Sequence, residues 1–255
     1  MKILITGGSG YIGSNLIPRL LAKKHKVINV DTQWFGHYLK DSQNLKNYKM
    51  DYSKIDKIKD KNIDVVIHLA SIANDPMAEI DKNLSWETSA LNTYKLLEFM
   101  KYRKIKKILY ASSGSVYGIK KERKVTETSK LEPISLYNKV KMITERIILS
   151  YKDEIIPFII RPSTVCGFSP RMRLDLTVNI LTYSALKNKT INVYGGKQIR
   201  PNIHIDDMCS VYEFFLKKNK SYSGIYNAGY ENKSIIEIAN TVKSITNSKI
   251  NIIKD

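Results

Sequence analysis

TGGSGYIG, residues 6–13, ends the apolar run KILIT (2–6) and precedes a stretch whose apolar residues recur every three to four positions. Three of its four glycines, Gly7, Gly10 and Gly13, stand three apart in the pattern G-x-x-G-x-x-G. Glycine permits a tight turn, and the N-terminus of the next helix offers free N–H groups and the positive end of its dipole. A pyrophosphate-binding loop between a strand and a helix is therefore predicted. The residues expected to contact a dinucleotide cofactor here are Gly7, Gly10, Tyr11, Ile12 and Gly13.

The composition is that of a soluble globular protein. The 255 residues are 43% hydrophobic and 26% charged, and no apolar run approaches the roughly 18 residues needed to cross a membrane. No secretory signal is predicted. With no such apolar run, no membrane partner is expected. Cys166 and Cys209 are the only cysteines and lack metal-ligand spacing, so we expect a cytoplasmic protein without a metal site.

The net charge of +18 raises the possibility of nucleic-acid binding. The lysines, however, are scattered along the whole chain and form no basic cluster interleaved with aromatic residues. This distribution indicates a solvated surface, and no nucleic-acid partner is expected. A positive field still favours a phosphorylated substrate.

Apolar runs rich in β-branched residues alternate with helical patterns over the first 162 residues. Strands are predicted at 2–6, 26–30, 65–70, 107–112 and 157–162, and helices at 12–23, 88–103 and 136–151. This rhythm predicts an α/β fold, a Rossmann-type doubly wound parallel sheet covered on both faces. Residues 1–162 are expected to form the dinucleotide-binding domain. Residues 163–255 are expected to form mostly a small substrate-binding region, with a strand near 224–229 that returns to the main sheet.

Two candidate acidic residues lie between the strands predicted at 26–30 and 65–70, and the first of them directly follows the strand 26–30. Asp31 stands where a carboxylate can accept both ribose hydroxyls of an adenosine, and the same carboxylate would repel a 2′-phosphate. The predicted cofactor is therefore NAD and not NADP. Asp51 is expected near the adenine edge, on a weaker argument.

Tyr137 and Lys141 in YNKVK stand four residues apart, on one face of a predicted helix. A lysine ammonium near a tyrosine hydroxyl favours the phenolate, and is expected to lower the pKa of the tyrosine toward neutral pH. Ser112 and Ser113 lie at the end of the strand predicted at 107–112, at the edge of the sheet where ligands bind. The pattern favours proton transfer to and from a sugar hydroxyl.

Five motifs, TGGSGYIG, HLAS (68–71), ASSGSVYG (111–118), YNKVK (137–141) and RPNIHIDD (200–207), occur in the order typical of one family. Together they resemble the extended short-chain dehydrogenase/reductase family, in its NAD-dependent nucleotide-sugar epimerase/dehydratase branch. The resemblance implies that Ser113, Tyr137 and Lys141 form a catalytic triad. Further cofactor contacts that it implies are Tyr52, Leu69, Ala70, Ser71, Ser112, Tyr137, Lys141 and Pro162. It also implies a homodimer formed by the helices near 88–103 and 136–151.

The substrate implied by the resemblance is a nucleotide-diphosphate sugar. Its expected contacts are Ser113, Tyr137, Thr164, Arg171, Arg173 and Arg200. Arg200 matches the arginine that binds the diphosphate in the family. For Arg171 and Arg173 the alternatives are phosphate contact and a solvated basic loop.

The chain departs from the family pattern at three points. Thr164 and Ser89 stand where the family usually has asparagine. Relatives also continue past the point at which this chain stops, into a part that often completes the sugar pocket.

The resulting hypothesis is an epimerase that oxidises C4 of the sugar transiently. A 4-ketoreductase or dehydrogenase, a 4,6-dehydratase and a non-catalytic NAD-sensing protein are the alternatives. Gly114 and Ser115 follow Ser113, where dehydratases carry an Asp–Glu pair, so the dehydratase is disfavoured.

Overall fold

The structure, a computed structural model, describes residues 1–120, 122 and 124–253. The strands within these ranges are β1 (Lys2–Thr6), β2 (Lys26–Asp31), β3 (Leu45–Lys49), β4 (Val65–His68), β5 (Lys107–Ala111), β6 (Ile156–Pro162), β7 (Thr164–Cys166), β8 (Thr190–Tyr194), β9 (Ile199–His204), β10 (Gly224–Ala228), β11 (Glu231–Ser234) and β12 (Lys249–Ile253). The α-helices are α1 (Gly13–Ala22), α2 (Asp75–Ile80), α3 (Lys82–Trp86), α4 (Asn92–Tyr102), α5 (Leu136–Ser150), α6 (Thr177–Asn188), α7 (Ile205–Leu216) and α8 (Ile235–Thr246).

Seven strands form one sheet in the order β10-β6-β5-β4-β1-β2-β3, and all of its pairs are parallel. The chain crosses from β3 to the other side of β1 to form β4, so the strand order reverses between β1 and β4. In doubly wound sheets ligands bind at the carboxyl edge beside such a reversal. The predicted α/β class with a parallel sheet flanked by helices is confirmed.

Side chains alternate between the two faces of the sheet, as the pleat of a strand requires. Ile3 and Ile5 pack with α1 and α7 on one face, whereas Leu4 packs with α4 and α5 on the other. Both faces are therefore buried, which explains why the strands are almost continuously apolar.

Two small sheets lie outside the main one. Strands β7, β9 and β11 form one of them, and β8 pairs in parallel with β12 in the other. Helices α6 and α8 cover the second around Ala185, Ile191 and Ala239. Helix α7 belongs to the main core instead, because its Met208 and Tyr212 are buried with the β1 side chains.

The helix predicted at 88–103 is wrong in its first turns. Residues Glu87–Leu91 form a π-helical turn between α3 and α4. The carbonyl oxygen of Ser89 accepts hydrogen bonds from the side-chain hydroxyls of Thr93 (2.6 Å) and Thr144 (3.1 Å). Side-chain hydroxyls thus satisfy a backbone acceptor in this irregular turn, and periodicity alone does not reveal such contacts.

Candidate active site

The glycine loop has almost no room for side chains. Gly7 has φ +75°, and a Cβ there would lie 2.5 Å from the backbone nitrogen of Ala70. A Cβ on Gly13 would lie 2.4 Å from the carbonyl oxygen of Gly8. At Gly10 a Cβ would meet only the Gly7 carbonyl oxygen, at 3.1 Å. A glycine loop directly before a helix N-terminus fits the pyrophosphate of a dinucleotide.

Asp31 lies beside this loop at the end of β2. One carboxylate oxygen accepts the backbone N–H of Ser9 (3.0 Å) and the other that of Gln33 (2.6 Å). Burial raises the pKa of Asp31, and these two hydrogen bonds oppose that effect. Each oxygen retains an acceptor position, which fits the two hydroxyls of a ribose.

The next two expected adenosine contacts are partly engaged elsewhere. The Asp51 carboxylate accepts the Ser53 backbone N–H (2.7 Å) and caps a short helical turn. The Tyr52 hydroxyl donates to the carbonyl oxygen of Thr88, and its ring lies 5.1 Å from that of His68. The side chain of Tyr52 therefore lies in the core, and only its backbone is left for the predicted cofactor contact.

The segment after β4 lies against the glycine loop. The Leu69 backbone N–H donates to the Thr6 carbonyl oxygen (2.9 Å), and Ala70 lies directly under Gly7. Ser71 shares a hydrogen bond of 3.1 Å with Ser89, which stands where the family usually has asparagine. The predicted strand 65–70 ends at His68, so Leu69 and Ala70 belong to the loop at the carboxyl edge.

Ser112 and Ser113 have different environments. Ser112 is buried, and its hydroxyl donates to a carboxylate oxygen of Glu145. Its side chain is therefore not available for the predicted cofactor contact. Ser113 is half-buried and shares a hydrogen bond of 2.7 Å with the hydroxyl of Ser115. A hydroxyl at the end of β5 thus faces the site from Ser113.

Helix α5 brings Tyr137 and Lys141 to the same place. Ser135 caps the helix by accepting the Asn138 backbone N–H (3.2 Å). The ammonium nitrogen of Lys141 donates to the Ala111 carbonyl oxygen (2.7 Å) and lies 5.8 Å from the Tyr137 ring centroid. The Ser113 side chain lies near enough to the Tyr137 hydroxyl to lower the pKa of that phenol. The three side chains of the expected triad therefore meet at the ends of β5 and α5.

Burial dominates the ionisation of this group. It lowers the pKa of Lys141 to about 7, with the Glu145 charge opposing it. Burial also raises the pKa of Tyr137, opposed by the Ser113 hydrogen bond and the charge of Arg173. The expectation that Lys141 lowers the pKa of Tyr137 toward neutrality does not hold in this structure, because desolvation of the phenolate is the larger effect.

A polar layer lies beneath the site that the sequence analysis did not foresee. His68 is fully buried between the hydroxyls of Thr6 (2.6 Å) and Thr93 (2.8 Å), and burial lowers its pKa to about 3. Glu145 and Arg161 form a buried ion pair below Ser112. Two features of the sequence could have indicated this pair. They are an arginine inside an apolar strand and a glutamate four residues after Lys141.

The loop 167–175 closes over the glycine loop. The Tyr11 hydroxyl donates to the Gly167 carbonyl oxygen (2.7 Å), and the Ser169 hydroxyl donates to the Tyr11 carbonyl oxygen (2.8 Å). Asn179 donates to the Tyr11 hydroxyl (3.1 Å) and accepts the Gly167 N–H (2.9 Å). Tyr11 therefore joins the expected cofactor loop to the second half of the chain.

The two arginines of this loop are engaged. The Arg173 guanidinium binds both carboxylate oxygens of Asp175, with Nε 3.0 Å from Oδ1, and Asn74 donates to the same carboxylate (2.8 Å). The Arg171 guanidinium lies 4.0 Å from the Phe35 ring centroid, and its charge acts on Asp31. Neither is a solvated loop residue, and Arg171 lies toward the adenosine end of the site and not toward Tyr137.

The remaining expected contacts lie at the ends of strands. Pro162 ends β6 and is half-buried, and Thr164 begins β7, where it pairs with Asn202 of β9. Arg200 is exposed on β9, and its guanidinium donates only to the Ile199 carbonyl oxygen (3.3 Å) among the described residues.

In the ranges that the structure describes, no three His, Cys, Asp or Glu side chains are grouped to hold a metal ion. No described helix is long and apolar enough to span a bilayer.

Known proteins are similar to this chain over most of its length. The profile of the NAD dependent epimerase/dehydratase family matches residues 3–229. The uncharacterized UDP-glucose epimerase YtcB of Bacillus subtilis is 32% identical, over 98% of this chain and 83% of its own length. A dTDP-D-glucose 4,6-dehydratase of Dictyostelium discoideum is also 32% identical, over 98% of this chain and 62% of its own.

A solved structure extends the similarity to the fold. The UDP-glucuronic acid 4-epimerase of Bacillus cereus, in complex with UDP-glucuronic acid and NAD, is 27% identical and superposes with a TM-score of 0.85. The match covers 100% of this chain and 87% of that one. From the family match, the relatives and the fold together, the chain belongs to the NAD-dependent epimerase/dehydratase family of extended short-chain dehydrogenase/reductase enzymes, whose cofactor is NAD.

Proposed function

We propose that this protein is a nucleotide-sugar 4-epimerase, which oxidises C4 of its sugar transiently and reduces the ketone from the opposite face. The observation that carries the proposal is the meeting of Ser113, Tyr137 and Lys141 at the carboxyl edge, with Gly114 and Ser115 following the serine. Redox at C4 needs a hydroxyl, a proton carrier and a cation, and these three side chains supply them. A non-catalytic NAD-sensing protein would not need this set.

In this proposal the glycine loop binds the pyrophosphate of NAD. Gly7, Gly10 and Gly13 let the backbone approach it, and Asp31 accepts the hydroxyls of the adenine ribose. The ammonium of Lys141 binds the nicotinamide ribose. Bound NAD supplies the acceptor, and then the donor, of the hydride that leaves and returns to C4.

The proton moves through Tyr137. Its oxygen takes the proton of the C4 hydroxyl as that carbon is oxidised and returns the proton when the ketone is reduced. Because burial raises the pKa of Tyr137, proton acceptance depends on positive charge near its ring. In this proposal the Lys141 ammonium, 5.8 Å from the ring centroid, supplies that charge. The Ser113 hydroxyl donates a hydrogen bond to the reacting oxygen.

Residues 163–255 would contribute most of the substrate contacts. Arg173 is neutralised by Asp175 and Arg171 stacks on Phe35, so Arg200 is our candidate for the diphosphate. Thr164 stands where the family has asparagine, and its hydroxyl would bind the sugar.

One observation favours a second candidate, a 4,6-dehydratase. Asp75 is hydrogen-bonded to Ser135, and its charge acts on Tyr137. A carboxylate near Tyr137 could take part in removing water, and a dehydratase is among the relatives. Asp75 is nevertheless exposed and engaged at the start of α2, which disfavours this alternative.

The cofactor preference tests the role of Asp31. Wild-type protein should bind NADH more tightly than NADPH, because a 2′-phosphate beside the carboxylate is repelled. Asp31→Asn should weaken NADH binding and reduce the preference for NADH over NADPH, since an amide nitrogen cannot accept a hydrogen bond from a ribose hydroxyl. Titration calorimetry measures the affinities for NADH and NADPH, and Asp41→Asn, at an exposed position, is the matched control. Tighter NADPH binding by the wild type would contradict the assignment.

Loss of one hydroxyl tests the role of Tyr137. Tyr137→Phe should lower kcat by about 10²–10⁴-fold, because the proton carrier is lost while little packing changes. NADH binding and the melting temperature should stay close to the wild type. Tyr230→Phe makes the same change at an exposed position and should leave kcat unchanged. More than about a tenth of wild-type activity in Tyr137→Phe would refute the proton transfer.

The product distinguishes the candidate reactions. Incubation with UDP-, GDP-, CDP- and dTDP-sugars should give a product of unchanged mass, read by mass spectrometry and NMR. In D₂O the C4 hydrogen should remain protium, because the hydride leaves and returns within one site. A 4-keto-6-deoxy product that has lost water and carries solvent deuterium would establish the dehydratase instead. A product whose mass differs from that of the substrate by two hydrogens would establish a ketoreductase or dehydrogenase.

A homodimer is part of the proposal. Leu91 (58% exposed) and Tyr94 border a hollow of about 470 Å³ that Trp86 also lines, on the outer face of α4. Sedimentation velocity should give a dimer that Leu91→Glu dissociates, because a buried carboxylate would lack a partner. Leu186→Glu, on α6 and 61% exposed, is the matched control. A monomeric wild type would contradict this assembly.

A further inference from the structure

An ion pair between Glu145 of α5 and Arg161 of β6 is enclosed behind the site. The two side chains are 1% and 2% exposed. The Arg161 Nε lies 2.9 Å from one carboxylate oxygen, and its Nη2 lies 2.6 Å from the other. Buried ion pairs seldom stabilise a fold more than apolar side chains of similar volume would. Stability of the fold alone therefore does not explain the Glu145–Arg161 pair.

The pair holds both ends of the turn that carries Ser113. At the start of the turn the Ser112 hydroxyl donates to Glu145. At its end the Arg161 Nη1 donates to the Tyr117 hydroxyl (2.8 Å). Since Ser113 lies between these two attachment points, the pair determines where its hydroxyl stands.

The second attachment continues into the last strand of the sheet. The Tyr117 hydroxyl donates to the side-chain oxygen of Asn227 in β10 (2.7 Å). The Asn227 backbone N–H donates to the Glu127 carboxylate (2.8 Å), and Arg161 also reaches the Glu127 carbonyl oxygen (3.3 Å). The turn is thus fixed to three neighbouring segments at once, and Glu145 is the one member that also touches Ser112.

Glu145 also stands one helical turn after Lys141. The groups that face Lys141 from the packed elements are His68 of β4, Tyr110 of β5 and Tyr137 of α5. His68 is neutral at physiological pH because burial lowers its pKa, and burial raises the pKa of both phenols. Glu145 is therefore the anion that, among the described residues, opposes the loss of the Lys141 proton.

We propose that Glu145 is a positioning residue with two effects: it orients Ser113 through Ser112, and its charge keeps Lys141 protonated, while Arg161 fixes its carboxylate. This inference rests on the roles proposed above for Ser113 and Lys141. It adds a group outside the triad on which the triad depends.

The charge effect is measured on Lys141 itself. In protein labelled with ¹³C-lysine, the Cε resonance of Lys141, assigned with Lys141→Arg, is followed against pH. Glu145→Gln should lower the ratio of ammonium to amine at a given pH by about tenfold. Removal of the Glu145 charge disfavours the ammonium form of Lys141, so the titration midpoint of Lys141 falls below about 7. An unchanged midpoint would overturn this part of the proposal.

A matched control makes the same chemical change elsewhere. Glu213 of α7 is a largely buried glutamate that pairs with Arg19 and Lys23, far along the chain from Lys141. Glu213→Gln should leave the Lys141 midpoint unchanged. An equal shift in this control would show a general loss of structure and would overturn the assignment to Glu145.

The positioning effect is measured with a smaller change. Ser112→Ala removes only the hydrogen bond to Glu145, and it should fold even if Glu145→Gln does not. It should lower kcat about tenfold to a hundredfold, with KM, the Lys141 midpoint and NADH affinity near the wild type. Unchanged kcat would overturn the positioning role. A Lys141 midpoint that moves in Glu145→Gln without any change in activity would support the charge effect and refute the proposed role of Lys141, so the two failures are distinguishable.

Discussion

Parallel pairing of β1 with β2 on one side and β4 on the other is the constraint on which the site depends. It directs the carboxyl ends of all three strands to one edge, beside the point at which the strand order reverses. Gly7 follows the first of these ends, Asp31 closes the second and Leu69 follows the third. No local preference of these segments would bring them together. The register of the sheet does so, because the apolar side chains of each strand must alternate between two buried faces.

Burial at this edge has an electrostatic consequence. Lys141 lies in the core with its ammonium on a backbone carbonyl, and burial lowers its pKa to about 7. The protein compensates with an anion, Glu145, and must then neutralise that anion with Arg161. Charged groups in low-dielectric surroundings need partners, so one buried lysine requires a chain of paired groups behind it. In our proposal the Glu145–Arg161 pair is this partner of the buried Lys141.

The loop 167–175 and the start of α6 are tied to the first half of the chain by side-chain contacts. Tyr11 bonds the loop 167–175 and Asn179, and the Arg171 guanidinium stacks on Phe35. Asn74 reaches Asp175 across the edge of the sheet. The loop that leads to the proposed substrate region thus also contacts the loop expected to bind the cofactor.

The sequence by itself determined the α/β class and the family, because strand–helix rhythm and glycine spacing are local patterns read from neighbouring residues. It also predicted Ser113, Tyr137 and Lys141 as the candidate triad, since motifs of fixed spacing carry them. Only the tertiary structure decided that Tyr52 and Ser112 direct their side chains into the core, that Arg171 stacks on Phe35, and that burial raises the pKa of Tyr137. The π-helical turn at Glu87–Leu91 and the Glu145–Arg161 pair belong with these. Each of these features depends on partners distant in sequence or on removal from water. Local periodicity encodes neither the distant partners nor the degree of burial.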